Sequence, residues 1–253
     1  MAETANDLFE LRDKVALVTG GSRGLGREMV LAFARAGADV VIASRKLDTC
    51  QEVAREVEKL GRRALPHACH VGKWDDLDRL ADAAYERFGK VDVLVNNAGM
   101  SPLYPSLAEV SESLWDKVLG VNLKGPFRLS ANVGTRMSAG AGGSIINVSS
   151  IAAIRPTPIE TPYAAAKAGL NALTIAFAHA FGPKVRVNCI MAGPFLTDIS
   201  KAWAPETLQH LGRTSALRRA GEPNEVVGAA LYFASAASSF TTGAILQIDG
   251  GRP

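Results

Sequence analysis

The sequence predicts one α/β domain, a doubly wound parallel sheet with helices on both faces. Three observations carry that expectation. Short apolar runs alternate with amphipathic stretches over most of the 253 residues, as repeated strand–helix units do. A glycine-rich turn joins the first apolar run to the first helical stretch. No linker, internal repeat or low-complexity segment divides the chain, and α/β domains of this length commonly form one unit.

Residues 1–12 read as a flexible leader, and 13–253 as the domain. Lys14–Thr19 is a short apolar run bounded by glycine, the pattern of a buried parallel strand. Gly24–Ala36 follows as an amphipathic helix closed by Gly37, a glycine C-cap. Asp39–Ala43 is the second strand and Leu47–Leu60 the second helix, closed by Gly61. Ala64–Ala68 is a weaker strand, and Trp74–Phe88 a helix closed by Gly89. Val91–Val95 is the fourth strand, Ser113–Ser138 one long helix, and Ser144–Ser149 the fifth strand. A helix from Tyr163 to about Phe181 precedes a sixth strand, Val185–Ile190. Residues 195–221 are mixed in composition, Pro223–Ala236 reads as a helix and Ala244–Ile248 as the last strand.

Composition narrows the class. With 47% hydrophobic and 21% charged residues the chain can fill a large core. A formal charge of +3 without a dense basic run carries no signature of nucleic-acid or membrane-surface binding. Cys50, Cys69 and Cys189 are sparse, odd in number and without a CxxC pair, which suggests reduced thiols and a cytoplasmic protein. The acidic start MAETANDLFEL lacks the apolar core of a signal peptide, and no apolar run is long enough to span a membrane. No metal ligands are expected.

Two stretches carry chemistry. Thr19-Gly-Gly-Ser-Arg-Gly-Leu-Gly26 lies between a strand and a helix, where glycines let the backbone turn and approach a pyrophosphate seated on the helix N-terminus. Thr161-Pro-Tyr-Ala-Ala-Ala-Lys167 opens a helix with a capping hydroxyl and an early proline. Tyr163 and Lys167 therefore share a face one turn apart. An ammonium beside a phenol favours phenolate, so the pair makes a plausible general acid/base with a lowered tyrosine pKa. The dinucleotide type turns on the charge after the second strand. An NAD site wants a carboxylate there and an NADP site an arginine. The chain reads Ala43-Ser44-Arg45-Lys46, with no acid between Val40 and Leu47. Arg45 can grip a 2′-phosphate with two hydrogen bonds, so NADP(H) is expected over NAD(H); the alternative is that Arg45 and Lys46 are solvated surface charges.

TGGSRGLG, NNAG at Asn96–Gly99 and YAAAK at Tyr163–Lys167 together resemble the short-chain dehydrogenase/reductase family, in order and over about Lys14 to Gly251. The resemblance implies a Rossmann-type sheet of seven strands and hydride transfer between a nicotinamide and a carbonyl or secondary alcohol. It makes Tyr163 the acid/base, Lys167 its partner on the nicotinamide ribose, and Ser150 the hydroxyl on the substrate oxygen, with Ser149 the alternative. It makes Asn122, in GVNLKG, the asparagine that holds a water in a proton relay. Gly20, Ser22, Arg23, Gly24, Leu25, Gly26, Ser44, Arg45, Val71, Asn97, Ala98, Gly99, Gly193, Phe195 and Thr197 would join Tyr163 and Lys167 around the cofactor. Arg23 resembles the second cation of NADP-using members. Asn96 is expected to support the central strands instead.

The chain also departs from the family. His70-Val71 stands where Asp-Val is usual at the adenine, and Ala192-Gly193-Pro194-Phe195-Leu196-Thr197 replaces PGxxxT. The substrate lid falls at about 195–221, with Trp203, Leu208 and Leu211 as wall candidates; Pro156, Ile159 and Glu160 should line the pocket mouth. Ketoacyl reductases of fatty-acid synthesis resemble the chain closely but carry Ala-Arg-Glu where it has Ala178-His179-Ala180. That favours a free small carbonyl or alcohol, with a 3-oxoacyl-[acyl-carrier-protein] reductase as the alternative. A dinucleotide-sensing regulator and a structural subunit of a hetero-oligomer are the non-enzyme alternatives. A homotetramer is the assembly the resemblance implies.

Overall fold

The computed structural model describes residues 7–197, 200, 206 and 212–252. Seven parallel strands form one sheet: β1 Val15–Thr19, β2 Asp39–Ser44, β3 Ala64–Ala68, β4 Val93–Asn96, β5 Gly143–Ser150, β6 Val185–Ala192 and β7 Ile245–Ile248. Their order is β3-β2-β1-β4-β5-β6-β7, every pair parallel. The Rossmann-type architecture expected from the sequence is therefore present.

Burial on both faces explains the unbroken apolar runs. Ala16 and Val18 of β1 point into a core with α1 (Gly24–Arg35), α2 (Leu47–Lys59) and, late in the chain, Phe233. Val15 and Leu17 point the other way, toward α3 (Trp74–Phe88) and toward Leu129 and Phe177. Gly89 ends α3 with φ of 76°, a conformation that favours glycine. The weakness of β3 also has a cause: it is an edge strand, paired only with β2, and so tolerates Pro66.

The helix expected over 113–138 is interrupted. It divides into α4 Glu112–Leu119, a π turn at Gly120–Lys124, and α5 Gly125–Ala139. Pro126 has no N–H to give the Asn122 carbonyl four residues back, and the Gly125 N–H bonds Gly120 O instead. The next helix, α6, is Thr161–Phe181. The one expected over 223–236 opens with a 3-10 turn, Pro223–Val226, before α7, Val227–Ala234. The leader expected to be loose is anchored in its described part: Asp7–Phe9 forms a turn, Leu11 is 1% exposed, and its N–H donates to Ala36 O at 2.8 Å. Only the ends of the 195–221 stretch are described continuously. They meet, with Leu196 N donating to Gly221 O (2.8 Å) and Gly221 N to Pro194 O (2.9 Å). Trp203, Leu208 and Leu211 lie outside the described residues.

A polar chain crosses the core beneath the strand ends. Asn96 Nδ2 donates to Ser130 Oγ (2.8 Å) and Asn147 Oδ1 (2.9 Å). Asn147 Nδ2 donates to Thr174 Oγ1 (2.9 Å), whose hydroxyl donates to Leu170 O (2.9 Å). All four side chains are buried, so Asn96 does support the central strands. Removing the middle member strands two partners. Asn147→Ala is expected to lower unfolding free energy by about 2–4 kcal/mol, read as a shifted midpoint in urea with an unchanged slope.

Candidate active site at the carboxyl ends of the central strands

The crevice opens between β1 and β4, where successive helices leave for opposite faces of the sheet. Thr19 ends β1 and ties its neighbours together: its hydroxyl donates to Val95 O (3.2 Å) and accepts from Asn97 N (3.1 Å) and Ala98 N (3.2 Å). Asn97 Nδ2 in turn donates to Thr19 O (2.9 Å) and Gly20 O (3.2 Å). Gly20 turns with φ of 65°, and a Cβ on Gly26 would stand 2.2 Å from Gly20 O. The first and last glycines are therefore required by close backbone approach. α1 starts at Gly24 with no side chain capping it, which leaves its first amides for an anion. A cavity of about 370 Å³ adjoins them, lined among others by Ser22, Arg23, Gly24, Leu196 and Thr197. Leu25 packs against the core, so only its backbone belongs to this loop's surface.

At the end of β2, Ser44 Oγ donates to Lys46 O (3.2 Å) and touches Cys50 Sγ (3.1 Å). Arg45 and Lys46 are exposed. Past β3, the His70 Nδ1 accepts from Gly72 N (3.2 Å), and the His70 N–H donates to Asp76 Oδ2 (3.0 Å). The ring nitrogen left over is Nε2. Val71 is half-buried against the α3 side of the sheet.

The second cluster gathers at β5, α6 and the π turn. Lys167 is 3% exposed, and its ammonium donates to Val148 O at 2.7 Å. Ser149 Oγ donates to Lys167 O (3.2 Å), whereas the Ser150 hydroxyl, next along the strand, lies on the Tyr163 side and pulls the phenol's pKa down. Asn122 is fully buried; its Nδ2 donates to Met100 O (2.8 Å) and Val118 O (2.9 Å), and its Oδ1 accepts from Met100 N (3.2 Å). Gly99 lets these groups converge: a Cβ there would lie 2.9 Å from Asn122 Oδ1 and 3.7 Å from Lys167 Nζ.

The electrostatics correct one expectation. Tyr163 and Lys167 do share a face, with the ammonium 5.6 Å from the ring centroid. Yet the phenol is not lowered. Burial pushes it up to about 12, the Ser150 hydrogen bond pulls it down, and Glu160 pushes it up again. Burial also pushes the Lys167 ammonium down, to about 8. Desolvation disfavours both charged forms here and is the largest influence on each. The cluster holds a protonated phenol next to a hydroxyl, with a basic group that titrates near neutral pH close by.

Gly193 closes β6, where a Cβ would stand 2.5 Å from Asp249 Cα. Phe195 is buried, and Thr197 faces Gly24. Pro156 and Ile159 are exposed and Glu160 half-buried in the segment leading to α6. Reasoning from sequence missed Thr19, the Val148 carbonyl and Tyr104. A backbone carbonyl has no signature in side-chain patterns. Thr19 had one, a hydroxyl at the strand end next to the glycines.

The resemblance noted in the sequence extends to whole proteins. The family model described as Enoyl-(Acyl carrier protein) reductase matches residues 20–252. Human Dehydrogenase/reductase SDR family member 4 is 36% identical over 96% of this chain and 88% of its own length. The 7alpha-hydroxysteroid dehydrogenase of Escherichia coli is 35% identical over 97% and 96%. Among solved structures, 7α-hydroxysteroid dehydrogenase in complex with NADH and 7-oxo glycochenodeoxycholic acid superposes with a TM-score of 0.93, at 34% identity over 98% of both chains. NADPH-dependent 3-quinuclidinone reductase from Rhodotorula rubra gives 0.93 at 30% identity, over 99% of this chain and 95% of that one. Matches that run from the glycine loop to the last strand, on a shared seven-stranded sheet, place the chain in the short-chain dehydrogenase/reductase family of oxidoreductases.

Proposed function

We propose that the protein is an NADP(H)-dependent oxidoreductase that interconverts a free carbonyl compound and its secondary alcohol. The observation that carries this reading is the convergence of Ser150, Tyr163, Lys167 and Asn122 at one end of the sheet, beside a glycine loop shaped for close backbone approach. A regulator that only sensed dinucleotide would need no such proton-handling cluster. The cradle fits a dinucleotide: the uncapped start of α1 offers amides to a pyrophosphate, and Thr197 stands across from Gly24. Gly20, Ser22, Arg23, Gly24 and Leu25 would hold the phosphates, Val71 and Asn97–Gly99 the adenosine side, and Gly193, Phe195 and Thr197 the nicotinamide side. The nicotinamide supplies the hydride or accepts it. Tyr163 gives the proton to the carbonyl oxygen in reduction, Ser150 orients that oxygen, and Lys167 holds the ribose while exchanging its proton with the relay at Asn122.

NADP(H) is favoured by Arg45, which is exposed at the end of β2 and has no hydrogen-bond or ion-pair partner among the described residues. The related proteins divide on this point, one solved with NADH and one NADPH-dependent. Exposed Leu103, Ile154 and Ile159 around the mouth favour a substrate with an apolar body. A homotetramer belongs to the same reading, supported by exposed Trp115, Phe127 and Ile175 on α4, α5 and α6 and Leu246 on the edge strand β7. So does a cytoplasmic location, supported by three free, buried thiols. Among the described residues no helix is long and apolar enough to cross a membrane.

A panel of ketones and secondary alcohols run with NADPH and NADH in parallel, followed by nicotinamide absorbance, tests the reading; no turnover with either would sink it. Tyr163→Phe should cut turnover on the order of 10²–10⁴-fold while leaving NADPH affinity nearly intact. A phenol of pKa about 12 is protonated at neutral pH, the form reduction needs, so alcohol oxidation should accelerate as pH rises.

Lys167 adds a pH signature to binding. Its charged form, the one that attracts the cofactor, prevails below about pH 8 in the free protein. NADPH affinity should be full below that value and fall as pH rises through it. Fluorescence titrations on either side of it should show the slope in the wild type and not in Lys167→Ala.

Arg45→Asp should weaken NADPH by roughly ten- to a hundredfold, the loss of a charge-assisted bond, and improve NADH. Arg23 should keep the switch partial, and salt should shrink it. An unchanged NADPH/NADH ratio would make Arg45 a surface charge.

A further inference from the structure

The two segments that flank the mouth of the crevice are joined by one side chain. The first, 100–106, leaves the Asn96–Gly99 motif and is held at its root, where the Asn122 carboxamide bonds both the N–H and the carbonyl of Met100. The second, 151–160, runs from Ser150 to the start of α6. Tyr104 reaches from the first to the second. Its hydroxyl donates to Pro158 O at 2.6 Å and accepts from Thr161 N at 2.8 Å. Thr161 is the first residue of α6, and its N–H is one of the amides that a helix leaves without an internal partner. Glu160 at the N-cap supplies no capping bond, its carboxylate accepting instead from Thr157 Oγ1 at 3.1 Å. The helix that carries Tyr163 and Lys167 is therefore capped by a tyrosine 57 positions away in sequence, two residues before Tyr163.

We propose that Tyr104 is a positioning residue for the reaction. By using both hydrogen-bonding capacities of one hydroxyl, it fixes the first turn of α6, and with it Tyr163, against the opposite side of the mouth, so that the two segments form one rim. The rim bears Leu103 and Ile159, both largely exposed, and their spacing follows from the same bond. The catalytic part of this inference rests on the oxidoreductase reading above. The mechanical part, the coupling of 100–106 to 157–163, does not.

Tyr104→Phe keeps the ring and removes only the hydroxyl. In the full-length protein, hydrogen exchange should accelerate together in peptides covering 100–106 and 157–163, with the β5 and β6 peptides unchanged. With a carbonyl turned over by the wild type, kcat should fall roughly three- to tenfold, as expected when a reacting group loses part of its orientation, while the Kd for NADPH from fluorescence titration stays the same. Unchanged exchange at 157–163 would overturn the clamp. Altered exchange with wild-type kcat and KM would overturn the positioning role and leave Tyr104 a stabilising contact. If the wild type reduces no carbonyl, the oxidoreductase reading fails and the exchange arm still decides the clamp.

Discussion

The structure depends on the seam between β5 and α6. Three consecutive residues of β5 bind that helix: Asn147 through Thr174, the Val148 carbonyl through the Lys167 ammonium, and Ser149 through the Lys167 carbonyl. In a parallel strand, alternate residues point to opposite faces, so side chains alone could not give three successive contacts to one helix. The backbone carbonyl of Val148 makes up the difference. Lys167 is gripped at both ends, ammonium and carbonyl, by adjacent residues. A buried ammonium without a partner would be very costly, and this bond removes the freedom of α6 to slide along the strand. The polar chain from Asn96 through Asn147 to Thr174 extends the same fixation to β4 and α5.

Burial, not the neighbouring cation, sets the pKa of the phenol in the free protein. The ammonium is drawn to Val148 O, and the burial that makes it available for this bond also lowers its own pKa, to about 8. The phenol is desolvated in the same crevice and rises to about 12. Two groups whose charged forms are both disfavoured leave the proton on tyrosine, which suits an acid. Simple proximity of a cation to a phenol at i and i+4 spacing is thus a poor guide to the sign of a shift where desolvation is the larger effect.

The sheet, the glycine loop and the tyrosine–lysine pair were legible because each follows from local rules. Apolar runs on a two-faced sheet, glycines at close backbone approach, and a helix start before YAAAK need no knowledge of distant residues. What stayed hidden was non-local or carried by the backbone. The π turn at Asn122 breaks a helix whose composition reads as continuous; Pro126 was its signal, since a proline four residues on denies the Asn122 carbonyl its donor. Leu11 looked like part of a loose leader because a single leucine among polar residues gives no periodicity. The Asn97 side chain is bound to the glycine loop's own carbonyls, a non-local contact that its motif alone does not announce.

That last detail points to the segment through which the parts of the site communicate. Within the run Asn96–Tyr104, Asn96 enters the buried polar chain, Asn97 and Ala98 fasten the glycine loop through Thr19, and Gly99 leaves room for Asn122 and Lys167 to converge. Met100 is clasped by Asn122, and Tyr104 caps the helix of Tyr163. Together these contacts reach β1, β5, the π turn and α6, and none can shift far without its neighbours in the run. A loop at a topological switch point is usually considered for what it binds. Here its greater part is spent on bonds within the protein, so the dinucleotide loop and the proton-handling cluster are held at a fixed separation before any ligand enters. For a reaction that needs two molecules aligned at one carbon atom, that separation is what the fold has to supply.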